Sequence, residues 1–248
     1  MQLEIAVLSR AGGRSTNQDA CGFWSGPGVC FCVVADGAGG HRGGDVASKL
    51  VVQETLGWFR ERHDCSAEAI ETAMRNANEV VVRTQQLNDD IGDMRTTAVV
   101  LAIDFEHELA TWGHLGDSRL YCFREQEIVM QTRDHSVVQS LVDAGLLDPK
   151  DLRTAPDRSK LLAALGDLDG FDPRVTPEPF ALQDRDKFLL CTDGLWEYVD
   201  EAALQATLAD ATSAEEWLRL LETEVLARGR KGQDNYSALA VWCNAEAA

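Results

Sequence analysis

The chain has 248 residues, 45% hydrophobic and 26% charged, which is the range of an ordinary globular protein and excludes disorder as its main character. Lys and Arg number 23 against 41 Asp and Glu. The resulting formal charge of −18 repels a phosphate backbone and excludes nonspecific nucleic-acid binding, while it suits divalent cations and basic peptide segments.

In chain order, the N-terminus M-Q-L-E-I-A-V-L-S-R lacks the basic start and long apolar stretch of a signal peptide. No run approaches the roughly 18 apolar residues of a membrane span. A cytoplasmic protein without membrane insertion is expected. Short apolar runs rich in β-branched residues predict strands at Leu3–Leu8, Val29–Ala35, Thr97–Ile103, Leu109–Gly113, Arg119–Phe123, Phe188–Thr192 and Tyr236–Trp242. Two long helices are predicted between the early strands, the second with Ile70, Ala73, Ala77 and Val81 at helical spacing. The stretch from Leu146 to Pro179 carries most of the prolines and reads as an irregular insertion, the kind of segment that often serves function. A later helix opens on Ser213 and Glu216 as a capping box, with Trp217, Leu220, Leu221 and Val225 on one face. Strands joined by short connections pair antiparallel, so the fold class is α+β, with two sheets flanked by helices. No linker, repeat or low-complexity tract divides the chain, and residues 1–248 read as one domain. The seven scattered cysteines form no C-x-x-C pair and mostly sit in apolar runs, as small hydrophobes of a reduced compartment do.

The informative pattern is where aspartates fall relative to strands. Asp36-Gly37 follows V-C-F-C-V-V-A, and Asp193-Gly194 follows F-L-L-C-T. Asp117 lies between two predicted strands in G-H-L-G-D-S-R, Asp234 precedes the last strand, and Asp19 closes R-S-T-N-Q-D. Asp-Gly is a common hairpin turn, and either pair alone reads as one. Sheet neighbours would instead gather these carboxylates at one rim. Packed like charges resist ionisation unless a cation joins them. Oxygen ligands without thiolates suit Mg²⁺ or Mn²⁺.

Seven blocks then carry a resemblance. They are R-S-T-N-Q-D (14–19), V-V-A-D-G-A-G-G-H (33–41), R-T-T-A-V (95–99), G-H-L-G-D-S-R-L-Y (113–121), R-D-H-S (133–136), L-L-C-T-D-G-L-W (189–196) and G-Q-D-N-Y-S (232–237). In this order they resemble the metal-dependent Ser/Thr protein phosphatases of the PPM, or PP2C, family in their compact bacterial form. The resemblance implies a central β-sandwich of two antiparallel sheets flanked by helices, with two core Mn²⁺ or Mg²⁺ ions. By it, Asp36 bridges the core ions, the Gly37 carbonyl and the Asp193 and Asp234 carboxylates complete them, and Asp117 holds a third, weaker ion. Asp19 orients metal-bound water, Arg14 grips the phosphoryl group with its planar fork, and the segment near 146–179 is a flap beside the site. It further implies hydrolysis of phosphoserine and phosphothreonine in proteins by a metal-activated water. The expected partners are phosphoproteins, including a bacterial Ser/Thr kinase or its targets, and some relatives of this form work with type VI secretion. A monomer is expected.

The chain departs from the family pattern at three points. Ala38 stands where eukaryotic members carry a His, Gln18 replaces a Glu, and Arg95 replaces a Gly before Thr96 and Thr97. For Arg95 a surface ion pair is expected, and for His41 a structural place in its loop. Two rival phosphatase chemistries fail on sequence, because Cys65 lacks the following arginine of a tyrosine-phosphatase loop and R-H-D at 62–64 is not R-H-G. D-L-D-G-F at 167–171 resembles an aspartyl-phosphate loop with Asp167 as nucleophile, but Phe171 replaces its threonine and K-L-L-A-A-L-G before it reads as helix. A phosphoprotein-binding module without catalysis is the rival from another class, and it would have lost the metal aspartates that this chain keeps.

Overall fold

The structure, a computed structural model, describes residues 1–38, 40–167, 170–230 and 232–245, with nothing said of the side chains of residues 40–42. Along the chain run β1 (Gln2–Arg10), β2 (Asp19–Gly26), β3 (Val29–Ala38), α1 (Gly40–Arg62), α2 (Ala67–Leu87), β4 (Arg95–Thr96), β5 (Ala98–Asp104), β6 (Leu109–Leu115), β7 (Arg119–Arg124) and β8 (Glu127–Gln131). They are followed by α3 (Val137–Asp143), β9 (Arg174–Val175), β10 (Phe180–Ala181), β11 (Lys187–Cys191), α4 (Asp193–Trp196), α5 (Glu201–Asp210), α6 (Ala214–Arg228) and β12 (Tyr236–Asn244).

Two antiparallel sheets form, in the orders β1-β12-β11-β7-β8 and β10-β6-β5-β3-β2. They face one another across a core of alternate strand residues: Cys30, Cys32 and Val34 of β3, Val99, Leu101 and Ile103 of β5, Phe188 and Leu190 of β11, Leu239, Val241 and Cys243 of β12. The intervening residues of the same strands face helices. Phe31, Val33 and Ala35 pack on α1 and α2 through Val51, Phe59, Ile70, Ala73, Ala77 and Val81. On the opposite side, Leu189, Cys191, Ala238 and Ala240 pack on α5 and α6 through Leu204, Trp217, Leu221 and Val225. Burial on both faces is why these strands read as unbroken apolar runs rather than alternating ones. All seven cysteines are free thiols.

Several local expectations are corrected. The capping box of α6 is half formed. Ser213 Oγ accepts from the Glu216 amide at 3.0 Å, but the Glu216 carboxylate turns to the amide and hydroxyl of Thr212 instead of returning to Ser213. Leu218, not Leu220, joins the buried face of α6. The K-L-L-A-A-L-G stretch is not helical. Leu165 exchanges both backbone hydrogen bonds with Thr96, and Leu161 bridges to Ser136, so pairing with segments distant in sequence overrides its local helical preference. Among the described residues no helix is long and apolar enough to cross a membrane.

Candidate active site

One end of the sandwich collects the strand ends that matter. Asp19 opens β2 and Asp36 sits near the end of β3, and the two are direct cross-strand partners. Asp193 opens α4 immediately after β11, Asp117 lies in the turn from β6 to β7, and Asp234 lies just before β12. Register makes the last residues of β11 neighbours of the first residues of both β7 and β12, through the pairs Cys191–Arg119 and Cys191–Ala238. The turns that carry Asp193, Asp117 and Asp234 are thereby drawn to a common rim.

The electrostatics record how close these groups lie. Burial, reinforced by the charges of Asp19, Asp193, Asp117 and Asp234, pushes the Asp36 carboxyl well above the usual carboxylate range. Burial and the charges of Asp117, Glu197, Asp234 and Asp19 do the same to Asp193. Asp117 is pushed up to about 7, chiefly by burial and the Asp134 charge, against the pull of Arg119. Asp19 is pushed up to about 6, first by burial, against hydrogen bonds from Ser237 and Thr192. Burial and neighbouring charge make Asp36, Asp193, Asp117 and Asp19 hold their protons more tightly than ordinary carboxyls, and a cation among them would relieve that repulsion.

Side chains that sequence reasoning passed over hold these groups in place. Thr192, at the N-cap position of α4, makes no cap bond with its side chain. Its hydroxyl donates to Asp19 Oδ2 at 2.9 Å and accepts from the Ser237 amide at 3.0 Å. Asn235 accepts from the Gln18 amide at 2.8 Å and donates to the carbonyls of Ala11 and Thr16 at 2.9 and 2.8 Å, clamping the loop that carries Arg14 and Asp19. The Trp196 indole donates to the Asp117 carbonyl at 2.9 Å, and its ring lies 3.6 Å under the Arg119 guanidinium carbon. Arg119 is in turn forked onto buried Asp134, with both bonds at 2.8 Å. Short polar side chains mid-sequence carry no pattern of their own, so only the resemblance blocks that contain Trp196, Arg119 and Asp134 hinted at this scaffold.

Arg14 stands at the same rim, half exposed, with Nη2 donating to Asp234 Oδ2 at 2.8 Å. Arg95 makes the expected surface ion pair, with Asp167 at 2.8 Å. That contact engages the carboxylate of the aspartyl-phosphate rival in a loop rather than at the end of a buried strand. Gln18 lies beside Asp19 on the clamped loop, with its backbone carbonyl accepting from Ser48 Oγ at 2.6 Å. Ala38 is exposed at the end of β3, opposite Arg95 in the β3–β4 ladder. The side chain of His41 lies outside the described residues.

The donor set fits hard divalent ions. It is all oxygen, and two of its buried carboxylate oxygens, Asp19 Oδ1 and Asp193 Oδ1, have no hydrogen-bond partner. Left unmet, each such group costs about 1–3 kcal/mol. Among the described residues no three His, Cys, Asp or Glu side chains close on a single point as a ready-made cage. Ions here would each take one or two carboxylates and keep carbonyl and water oxygens, as Mg²⁺-like ions do.

Comparison with known proteins agrees with this geometry. The sequence profile described as protein phosphatase 2C matches residues 9–228. The chain is 32% identical over 228 residues to the serine/threonine protein phosphatase PstP of Mycobacterium tuberculosis, covering 91% of this chain and 42% of PstP. It therefore spans less than half the length of that relative. Among solved structures, the catalytic domain of PstP in complex with two manganese ions matches with a TM-score of 0.82 at 28% identity, over 98% of this chain and 99% of that one. PppA, described as a key regulatory component of T6SS in Pseudomonas aeruginosa, matches with a TM-score of 0.78 at 31% identity, over 97% of each chain.

Proposed function

The chain belongs to the protein phosphatase 2C family, a family of metal-dependent Ser/Thr protein phosphatases, and from that premise we propose that it removes phosphate from phosphoserine and phosphothreonine in proteins through the carboxylate rim. One observation carries the reading. Asp36, Asp193, Asp117 and Asp19 gather with Asp234 at one rim, burial and neighbouring charge raise the proton affinity of those four, and the buried oxygens Asp19 Oδ1 and Asp193 Oδ1 have no hydrogen-bond partner among the described residues. A phosphoprotein-binding module has no use for such a cluster.

Asp36, the Gly37 carbonyl, Asp193 and Asp234 would hold two Mn²⁺ or Mg²⁺ ions, and Asp117 a third. When bound, such ions supply Lewis acidity and a water made nucleophilic near neutral pH. The chain's own groups do the rest. Asp19, anchored by Thr192 directly across the strand pair from Asp36, would orient water on the bound ions. Arg14 lies on a single exposed partner, and leaving Asp234 would free its planar fork for two phosphoryl oxygens. Hydrolysis exchanges the P–O bond to the seryl or threonyl oxygen for one to a water oxygen, and the leaving oxygen takes up a proton. The products are inorganic phosphate and the free hydroxyl. Residues 1–248 would act as one catalytic domain, with the segment near 146–179 as its flap.

The substrates fitting this reading are phosphoproteins in the cytoplasm, among them a Ser/Thr kinase or the targets of one. A role in type VI secretion draws its support from the likeness to PppA alone. The test is phosphate release from a phosphorylated protein after chelation with EDTA and again after adding back Mn²⁺ or Mg²⁺. Release that stops on chelation and returns with the ion supports the reading. Phosphoprotein binding with no release under any metal condition would make the chain a recognition module.

A further inference from the structure

Asp36 lies in β3 and Asp117 in the turn that follows β6, and these two strands do not touch because β5 lies between them in the sheet. One residue, Thr97, joins them. Its amide donates to the Asp36 carbonyl at 2.8 Å, and its Oγ1 accepts from the Asp36 amide at 3.0 Å. The preceding hydroxyl, Thr96 Oγ1, donates to the same carbonyl at 2.8 Å. On its other side Thr97 Oγ1 shares a 2.7 Å hydrogen bond with Ser118 Oγ, and both residues are buried.

The methyl group of Thr97 completes the grip. Gly116 has φ +103°, and a Cβ built on it would lie 2.5 Å from Thr97 Cγ2, so the methyl occupies the space that any larger residue at 116 would need. Thr97 therefore lies against the residue before Asp117, bonds the residue after it, and holds Asp36 by both backbone groups. Buried hydroxyl pairs often serve only to satisfy one another. This pair does more, since each of its members is tied to the backbone on one side of a candidate metal ligand.

Resting on the metal site proposed above, we infer that Thr97 is a positioning residue which, through Ser118, sets Asp117 against Asp36 and so governs the affinity of the third ion relative to the core pair. Groups behind a metal ligand typically govern about 10–100-fold in metal affinity.

The test is calorimetric titration of the full metal-free chain with Mn²⁺, with melting temperatures measured alongside. Wild type should show a weaker binding step that Asp117→Asn removes. Ser118→Ala, which leaves Thr97 on Asp36, should move that weaker step to about tenfold higher Mn²⁺ or beyond while the tighter step stays in place. Thr97→Val removes the hydroxyl and should weaken both steps, and Thr97→Ser, which keeps the hydroxyl but loses the methyl, should restore the tighter step fully and the weaker one in part. Should Thr97→Val fail to fold, Ser118→Ala carries the test alone. A lower melting temperature in Ser118→Ala with the weaker step unmoved, or with both steps weakened alike, would reduce the contact to packing and overturn the inference. A wild-type isotherm that Asp36→Asn leaves unchanged would overturn the metal site itself, and the inference with it.

Discussion

Asp19 and Asp36 face each other across two paired strands, and each binds its proton more tightly in the folded protein than in the unfolded chain. With Asp36 at the junction of the other carboxylates, Asp36→Asn is expected to lower Mn²⁺-dependent phosphate release at least about 100-fold and to raise the Mn²⁺ needed for half-maximal activity. With Arg14 gripping the phosphoryl group of bound substrate as proposed, Arg14→Ala should raise KM for a phosphopeptide more than it lowers kcat. Proton linkage supplies a third expectation. From an ordinary value of 3.8, Asp19 rises to about 6 and Asp117 to about 7. Between pH 4 and 7 the folded, metal-free protein therefore holds more protons than the unfolded one at these sites, and their contribution to stability falls as pH rises. Half-buried His135, held down to about 4, acts in the opposite sense, but it does so with or without bound ions. Metal ions displace the carboxyl protons. The Mn²⁺-induced rise in Tm should accordingly be larger at pH 7.5 than at pH 5.5, and an equal rise at both would contradict the assignment.

At the level of elements, the site depends on how closely α4 and the start of β12 approach. A Cβ on Gly194 would lie 1.9 Å from the Asn235 carbonyl oxygen, a backbone atom with no freedom to swing aside. Gly194→Ala should push apart the turns bearing Asp193 and Asp234, lowering stability by about 1–3 kcal/mol and weakening Mn²⁺ binding together. A melt and a titration on the same sample check both. These elements also mark how far the sequence can be read. The central strands and α2 were legible because burial on both faces makes strands continuously apolar, and burial on one face gives α2 its helical period. Asp36 and Asp193 were legible because each follows the end of such a run, and Asp117 and Asp234 because each adjoins the start of one. The two-residue strands β4, β9 and β10 were not, since two residues carry no period. The Leu161–Leu165 stretch misled because its pairing partners, Ser136 and Thr96, are remote in sequence. Thr97, Ser118 and Thr192 passed unread as positioning groups because a hydroxyl acquires a role only when folding brings its partner near.

For the whole molecule, a charge of −18 surrounds a site proposed to accept an anionic phosphoryl group. The field at long range favours basic peptides around the phosphorylated residue, and salt screens it over about 10 Å at 0.1 M ionic strength. A phosphothreonine peptide flanked by Lys and Arg should show a higher kcat/KM than one flanked by Asp and Glu, with the gap closing as salt is added. Equal values at low salt would confine recognition to the immediate site. The central claim is that the strand-end carboxylates, and not the Asp167 loop, carry the chemistry. It is tested most directly by phosphate release from a phosphothreonine peptide, with and without Mn²⁺, by wild type, Asp36→Asn and Asp167→Asn. Mn²⁺-dependent release should be lost in Asp36→Asn and kept in Asp167→Asn. A near-wild-type rate for Asp36→Asn at saturating Mn²⁺, or loss confined to Asp167→Asn, would contradict it.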